Sequence, residues 1–374
     1  MDMRNKITAV LFLLLIAAGA VTHWFVSDRD YSESEKRVLE QFPEVSAKTV
    51  FKGEFGKSME TYLSDQFPGR DTFVALKTVS ERVLGKKESG GVYFADDDYL
   101  MEVFKEFDQE QITKNVKALR SLQDMADEKG IPMLTMLVPT APQILADKLP
   151  KYAPNADQNA VTTFAAEKGI KLIDVTDALT EHKNEYIFYR TDHHWTSRGA
   201  YYAYAAWKQK KGETAEPLAA FKEQSLSSRF QGTTYAKVND PTAISDTILA
   251  YYKTENHKVS YNNGSYVTDS IYERKYLDGT DQYGVFLNSN QPTTVVSGNG
   301  AGKLLIIKDS YANCFAQFVV DEYEETHMID LRFFIQSLSD YIEENGITEI
   351  LVLYNIPNFA GDSSLPRLVR ILGR

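Results

Sequence analysis

Apolar residues along the chain fall into short continuous runs separated by longer stretches with helical spacing. The short runs predict buried strands over residues 132–138, 171–175, 303–307, 327–331 and 349–354. The intervening stretches predict helices over residues 109–129, 156–168, 196–211, 310–320 and 333–345. Strands that alternate with helices indicate βαβ units and a mostly parallel, doubly wound sheet. Ligands of such sheets bind at the carboxyl ends of the strands, so polar residues that follow a strand are the first candidates for chemistry.

The N-terminal pattern is different. Residues 7–26 form a run of 20 residues without Asp, Glu, Lys or Arg, preceded by Arg4 and Lys6. A helix of about 20 apolar residues spans a bilayer, and a basic flank stays in the cytoplasm. We therefore predict a single-pass membrane protein with its large domain outside the cytoplasm. Residues 18–20 (Ala-Gly-Ala) also fit a signal-peptidase site, so a cleaved signal and a secreted chain are the alternative, ahead of a buried helix in a soluble protein.

The remaining chain divides into two further segments. We predict a transmembrane signal-anchor over residues 1–27, an extracytoplasmic stalk with a helical extension over 28–105, and a catalytic domain over 106–374. Within the last segment, residues from about 213 to 300 are rich in Tyr, Thr, Asn and Gly and show short alternating pieces. That pattern predicts an insertion of loops and β-hairpins.

Composition excludes several classes of protein. Asp and Glu number 52 against 41 Lys and Arg, and the net charge of -11 argues against a nucleic-acid binder, which needs clustered cations. The single cysteine, Cys314, excludes an internal disulfide framework and Cys-rich metal sites, and it is interpreted as a small core residue. A hydrophobic fraction of 43% excludes global disorder.

The first candidate for chemistry is Asp192-His193-His194-Trp195, directly before the predicted helix 196–211. In an extended turn Asp192 and His194 point to the same side, so the carboxylate can hold an imidazole N–H, as in a nucleophilic triad. A surface ion pair is the ordinary alternative. A zinc site on Asp192, His193 and His194 would need a further ligand, and neighbouring residues seldom bind one ion together, so no metal is predicted.

The second candidate is Ser310, which follows the predicted strand 303–307 and precedes a predicted helix. A serine at this point has its hydroxyl at the carboxyl edge of the sheet, although most serines there only cap a helix. Serine is a weak nucleophile without a base, and His194 can supply one. Asp192, His194 and Ser310 therefore form a candidate triad, whose order along the chain carries no weight.

The motif at residues 191–196, followed by Lys308-Asp309-Ser310-Tyr311, resembles the DHHW proteins, which look related to the SGNH-hydrolase-like proteins of alginate O-acetylation. Residues 67–71 (Phe-Pro-Gly-Arg-Asp) are also similar to that family. The resemblance implies an α/β fold, namely a three-layer α/β/α SGNH-hydrolase-like (flavodoxin-like) domain, here with an inserted β/loop-rich region and an N-terminal membrane anchor. Ordinary SGNH enzymes place the serine first and the Asp-x-x-His motif near the C-terminus, whereas here Asp-x-His comes before the serine.

The resemblance also implies roles for individual residues. Ser310 is the expected nucleophile, His194 the base and Asp192 the residue that orients the base. Asn290, Arg332 and Tyr311 are candidates for binding substrate or the oxyanion, with a surface ion pair as the alternative for Arg332.

The expected function is extracytoplasmic O-acetylation of an exopolysaccharide or cell-wall glycan through an acetyl-serine intermediate, without a cofactor. The implied partners are the polysaccharide acceptor, the membrane and a membrane-bound O-acyltransferase that supplies acetyl groups, with no nucleic acid. Two alternatives stay open. The same triad in a carbohydrate acetylesterase delivers the acetyl group to water, and a non-catalytic glycan-binding or assembly protein can keep the fold.

Overall fold

The computed structural model describes residues 3–23 and 25–372, and the chain divides into two compact units. The N-terminal unit extends to Gly90 and includes Tyr235–Thr242, and the second unit, here called the sheet unit, comprises Gly91–Thr234 and Ala243–Arg374. This boundary differs from the predicted one at residues 105 and 106. The reason is a hairpin after Gly91 whose Tyr93 and Met101 side chains are buried in the core of the sheet unit.

The N-terminal unit begins with an apolar helix, α1, and continues with two-residue strands and three further helices. Their bounds are α1 Met3–His23, β1 Tyr31–Ser32, β2 Arg37–Val38, α2 Ala47–Phe51, α3 Glu54–Asp65, α4 Arg70–Val83 and β3 Glu88–Ser89. By length and composition alone, residues 5–23 could cross a membrane, a test that a signal sequence also passes. α3 and α4 are separated at Pro68 and Gly69, where the glycine adopts φ +74°.

Partly buried ion pairs hold the N-terminal unit together. Arg37 pairs with the buried carboxylate of Asp65 at 2.5 Å, and Arg70 pairs with Glu35 at 2.7 Å. These contacts tie the hairpin of β1 and β2 to α3 and α4.

The sheet unit contains the remaining elements. Its strands are β4 Val92–Phe94, β5 Leu100–Glu102, β6 Met133–Val138, β7 Leu172–Ile173, β8 Lys222–Phe230, β9 Asp246–Tyr252, β10 Val259–Tyr261, β11 Tyr266–Thr268, β12 Thr293–Ser297, β13 Lys303–Lys308, β14 Glu325–Ile329 and β15 Glu349–Asn355. Its helices are α5 Gln109–Glu128, α6 Ala141–Ile144, α7 Asn159–Glu167, α8 Thr176–Glu181, α9 Ser197–Lys210, α10 Thr233–Val238 (which ends within the N-terminal unit), α11 Tyr311–Phe315, α12 Leu338–Glu344, α13 Ile356–Gly361 and α14 Leu368–Ile371.

Eight strands form the central sheet in the order β11-β10-β12-β14-β13-β15-β6-β7. The five strands from β14 to β7 are parallel, and β12, β10 and β11 extend the sheet antiparallel beyond β14. The fold is therefore mixed α/β. Alternate residues of β13 enter two separate cores: Leu304 and Ile306 face α9 and α11, whereas Leu305 and Ile307 face α5, α12 and α13. Helices cover both faces, which gives three layers.

The order of the parallel strands explains why the serine follows the Asp-His motif in this chain. Counted from β13, the strands β14-β13-β15-β6-β7 have the order 2-1-3-4-5, which is the flavodoxin-like order. Along the sequence, however, the first of these five strands is β6, which takes the fourth place in the flavodoxin-like order. Ser310 thus follows the first strand of the arrangement, and the Asp-His motif lies after the fifth.

Other details differ from the sequence-based expectations. The region predicted as an insertion, about 213–300, contributes β10, β11 and β12 to the central sheet itself. The predicted helix 333–345 begins only at Leu338, because the Ser337 hydroxyl accepts the backbone N–H of Asp340 and caps the helix there. The predicted helix 310–320 ends at Phe315 and continues as a single 3₁₀ turn over Ala316–Phe318.

Candidate active site

The turn before α9 is built around Asp192. One carboxylate oxygen, Oδ1, accepts the backbone N–H of His194 at 2.9 Å and lies 2.5 Å from the Nδ1 atom of the same residue. The Thr196 hydroxyl accepts the Gly199 N–H and caps α9, so the turn has a fixed end. Backbone and ring of His194 are thereby held by a single carboxylate.

Ser310 lies where β13 ends and α11 begins. Its hydroxyl makes no capping bond to α11, which was the ordinary alternative for a serine at this position. Instead, Ser310 Oγ lies 2.7 Å from His194 Nε2. The structure thus brings Ser310, His194 and Asp192 together in one chain of hydrogen bonds. Ser310 and His194 are 116 positions apart along the sequence.

The second oxygen of Asp192 is held by residues of the region predicted as an insertion. Asp192 Oδ2 accepts the backbone N–H of Thr233 at 2.7 Å and the hydroxyl of Thr233 at 3.0 Å. Gly232 allows this approach, because a Cβ atom there would lie 2.1 Å from the Cβ of Asp192. Since the Thr233 hydroxyl donates to Asp192, it accepts from Nδ1 of His193, 2.5 Å away.

A second buried carboxylate, Asp246, fixes the turn from behind. It accepts the backbone N–H of Thr191 at 2.8 Å, the Thr191 hydroxyl at 2.5 Å and the backbone N–H of Arg190 at 3.0 Å. Burial raises the pKa of this carboxyl group. Thr191, the residue just before Asp192, is therefore fixed by hydrogen bonds of both its backbone and its side chain.

Tyr283 links the base to the nucleophile. Its ring stacks on the His194 imidazole, with centroids 3.7 Å apart and planes 11° apart, and its hydroxyl donates to the Ser310 carbonyl at 3.1 Å. Trp195 adds a further link, since its indole N–H donates to the Tyr311 carbonyl at 3.0 Å. The imidazole has few alternative orientations in this setting.

Burial and charge set the protonation states. Burial lowers the pKa of His194 to about 4, so the imidazole is neutral near pH 7 and can accept a proton. Burial opposes ionisation of Asp192, but the charges of His194 and His193 outweigh it and hold the pKa of the carboxyl well below its usual value. A neutral imidazole between a hydroxyl and a carboxylate is the arrangement that general-base activation requires.

In any reaction that uses His194 as base, we expect activity to fall on the acid side only at an unusually low pH. Activity is lost when the imidazole is protonated, so kcat/KM should fall as pH drops through about 4 and stay level from pH 6 to 7. Initial rates across this range test the expectation, with aliquots returned to pH 7 as a control for unfolding. A half-maximal rate near pH 6.5 would contradict it.

The three further candidates occupy different environments. Asn290 is partly exposed and its Oδ1 accepts from the Lys308 ammonium at 3.0 Å. Arg332 pairs with the buried Asp330 through two bonds of 2.9 and 2.5 Å, and it lines a cavity of about 560 Å³ that also includes Asp309. Tyr311 is completely buried and its hydroxyl donates to the His193 carbonyl, so in this structure it fixes the motif and is not accessible to a substrate.

Four residues that shape the site were missed in the sequence, namely Thr233, Asp246, Tyr283 and Lys308. All except Lys308 lie between residues 213 and 300, and only tertiary contacts bring them to the motif. Lys308 belongs to the motif that was singled out, but its burial has no signal in the sequence. Cys314 is buried, and burial raises the pKa of its thiol to about 12, as suits a core residue.

The structure also bears on whether Asp192, His193 and His194 could bind a zinc ion. Within residues 3–23 and 25–372, the one group of three or more His, Cys, Asp or Glu side chains close enough to share an ion is Asp192, His193 and His194. Both ring nitrogens of His194 are already hydrogen-bonded, to Asp192 and to Ser310. A metal ion there would have to displace the serine or the carboxylate.

Comparison with known proteins gives relatives by sequence and by structure. A probable alginate O-acetylase, AlgJ of Pseudomonas syringae pv. tomato, is 26% identical over 174 residues, which are 44% of this chain and 44% of that protein. The chain thus matches less than half the length of this curated relative.

Two solved structures share the fold. A DHHW family protein from Eubacterium siraeum superposes with a TM-score of 0.63 and 24% identity, over 76% of this chain and 96% of the other. Bacillus cereus PatB1, solved with a sulfonyl adduct, superposes with a TM-score of 0.62 and 18% identity, over 74% of this chain and 99% of the other.

The sequence profile of the DHHW proteins matches residues 88–329, which is more than half of the chain and includes both Asp192 and Ser310. With this match, the chain belongs to the DHHW protein family.

Proposed function

We propose that the protein is a Ser-His-Asp O-acetyltransferase that transfers acetyl groups to a polysaccharide through an acetyl-serine intermediate. The observation that carries the proposal is the continuous hydrogen-bond chain from Ser310 Oγ through His194 to Asp192, with contacts of 2.7 and 2.5 Å. The relative named as a probable alginate O-acetylase supports the same class of reaction.

In the first half of the reaction, Ser310 Oγ attacks the carbonyl carbon of an acetyl ester while His194 Nε2 takes the hydroxyl proton. The imidazolium that forms is stabilised by the ionised Asp192. The bond between the carbonyl carbon and the donor oxygen then breaks, and His194 returns the proton to the departing alcohol. The acetyl group remains on Ser310.

In the second half, a sugar hydroxyl takes the place of the departed alcohol. His194 removes its proton, the sugar oxygen attacks the acetyl carbonyl, and Ser310 leaves with the proton from His194. Each tetrahedral intermediate carries a negative oxygen, and we assign the partly exposed Asn290 amide as one donor to it. Arg332, in the wall of the cavity beside Asp309, is the proposed contact for the acceptor.

The proposed acceptor is an exopolysaccharide or cell-wall glycan, and the proposed source of acetyl groups is a membrane-bound O-acyltransferase. We expect the full-length protein in detergent to transfer acetyl from 4-nitrophenyl acetate to an oligosaccharide. Mass spectrometry of a panel of uronate, glucan and chitin oligosaccharides, with Ser310→Ala as the control, detects the product. Acetate as the sole product with every sugar would favour the esterase alternative, and an absence of nitrophenol release would contradict catalysis.

The proposed location rests on the N-terminal helix. α1 is long and apolar enough to span a bilayer and carries its basic residues, Arg4 and Lys6, at its N-terminal end, so we place the sheet unit outside the cytoplasm on a membrane anchor. Protease added to spheroplasts is expected to digest the sheet unit and leave a cytoplasmic marker intact. Full protection would contradict this topology, and a mature chain that begins after Ala20 would identify a cleaved signal.

A further inference from the structure

Lys308, the last residue of β13, is buried beside the candidate nucleophile. Its side chain is 1% exposed. Because residues alternate along a strand, Lys308 shares the face of Leu304 and Ile306, the face whose core contains Tyr283 and Tyr311. Removing an ammonium group from water is expensive unless it is well paired, yet the hydrogen-bond acceptor that Lys308 meets among the described residues is an amide oxygen, Asn290 Oδ1, at 3.0 Å, while the carboxylates of Asp330 and Asp309 act on it only through their charge.

Asn290 is presented by a strained turn. The three preceding residues, Leu287, Asn288 and Ser289, have φ of +54°, +56° and +61°, in the left-handed region that residues other than glycine rarely adopt. The Tyr276 hydroxyl donates to Asn288 Oδ1 at 3.1 Å and the Ser289 N–H donates to the Gly284 carbonyl at 3.1 Å, so the turn is held in place. Strain of this kind persists where function requires a particular geometry.

The Lys308 contact determines which way the Asn290 amide faces. An ammonium group donates and never accepts, so it selects the amide oxygen and turns the amide nitrogen away. Asn313 Nδ2 lies 3.4 Å from the same oxygen, and the Asn313 backbone N–H bonds the Ser310 carbonyl. Among the described residues, no hydrogen-bond acceptor lies against Asn290 Nδ2, and the residue is partly exposed and linked to Ser310 through Asn313. The amide thus offers free N–H groups on the side away from Lys308.

We propose that Lys308 is a positioning residue that locks the Asn290 amide with its oxygen inward, so that the amide N–H faces the oxyanion formed at Ser310. This inference rests on the proposed function, in which Asn290 is an oxyanion donor. Burial lowers the pKa of Lys308 to about 8, which still leaves the group mostly protonated and donor-only at pH 7.

The test measures 4-nitrophenyl acetate turnover by the full-length protein in detergent at pH 7. Loss of one oxyanion donor costs about 10²–10³ in kcat, so we expect Asn290→Ala to lose about 100-fold and Lys308→Met about 10- to 100-fold, with KM nearly unchanged. The double variant should be no slower than Asn290→Ala alone, because both changes remove the same interaction. The melting temperature of Lys308→Met should stay level or rise, since a buried charge is removed.

Two further variants separate positioning from other roles. Lys303→Met makes the same change at the other end of β13, where the lysine pairs with Glu325 near the surface, and should leave kcat unchanged. Lys308→Gln keeps an N–H donor without the charge, and because its amide can also accept, it should recover only part of the lost rate. Full activity of Lys308→Met, additive losses in the double variant, or a Lys308→Gln as slow as Lys308→Met would each overturn the inference while the proposed function stands. A wild-type protein without turnover would contradict the proposed function itself, and the inference would fall with it.

Discussion

Replacing Ser310 with Ala is expected to lower kcat for acetyl transfer by at least about 10⁴-fold, because no acyl-enzyme can form without the hydroxyl. His194→Ala should cost a similar factor, since Oγ then keeps its proton near neutral pH. In the proposed mechanism Ser310 and His194, in contact at 2.7 Å, act as one unit, so the double variant should be little slower than either single variant.

The matched control is His193→Ala, which removes a neighbouring imidazole. His193 contacts Thr233 and not Ser310, so its loss should affect the rate far less. Steady-state rates of the wild type, the two single variants, the double variant and His193→Ala test whether Ser310 and His194 act together. Multiplicative losses in the double variant would show that Ser310 and His194 act separately. A His193→Ala that is inactive while His194→Ala is active would show that the base is the other histidine.

Asp192→Asn is expected to have the second-largest effect, up to about 10⁴-fold in kcat, as in the best-characterised serine triads. Four donors converge on the Asp192 carboxylate: the backbone and ring N–H of His194, and the backbone N–H and hydroxyl of Thr233. An amide has only one oxygen, so its NH₂ group must face at least one of these donors. The tautomer and orientation of His194 are then no longer fixed.

Thr233→Val is the control for Asp192→Asn, because it removes a single donor and leaves the carboxylate in place. We expect it to cost much less than Asp192→Asn. Thermal melting of both variants distinguishes loss of rate from loss of fold. An Asp192→Asn protein that folds and stays within about tenfold of the wild-type rate would mean that Asp192 does not orient the base.

The sequence was most informative where short-range pattern decides structure. Apolar runs correctly located β6, β13 and β15, and helical spacing located α5 and α9 within a few residues. The order of strands in the sheet could not be predicted from the sequence, because the position of β15 between β13 and β6 depends on tertiary contacts and has no local signal. Only the structure therefore shows that the first parallel strand along the sequence, β6, takes the fourth place in the flavodoxin-like order.

The same distinction applies to the site. Asp192 and His194 are close in sequence and Ser310 comes shortly after a strand, so local reasoning could select all three. Thr233 and Tyr283 lie in a region whose composition indicates loops, and nothing in a loop-like composition shows that it folds against the motif. Local pattern also gave no sign that Tyr311, a candidate contact for substrate or the oxyanion, is buried with its hydroxyl donating to the His193 carbonyl.

The most direct test of the proposed acetyl-serine mechanism is to identify the residue that carries the acetyl group during turnover. The full-length protein is mixed with 4-nitrophenyl acetate, quenched rapidly in acid, and mapped by peptide mass spectrometry. We predict one acetyl group on the peptide that contains Ser310, at the hydroxyl of that residue, and none in Ser310→Ala. Acetyl on a different residue, retained together with turnover in Ser310→Ala, would contradict it.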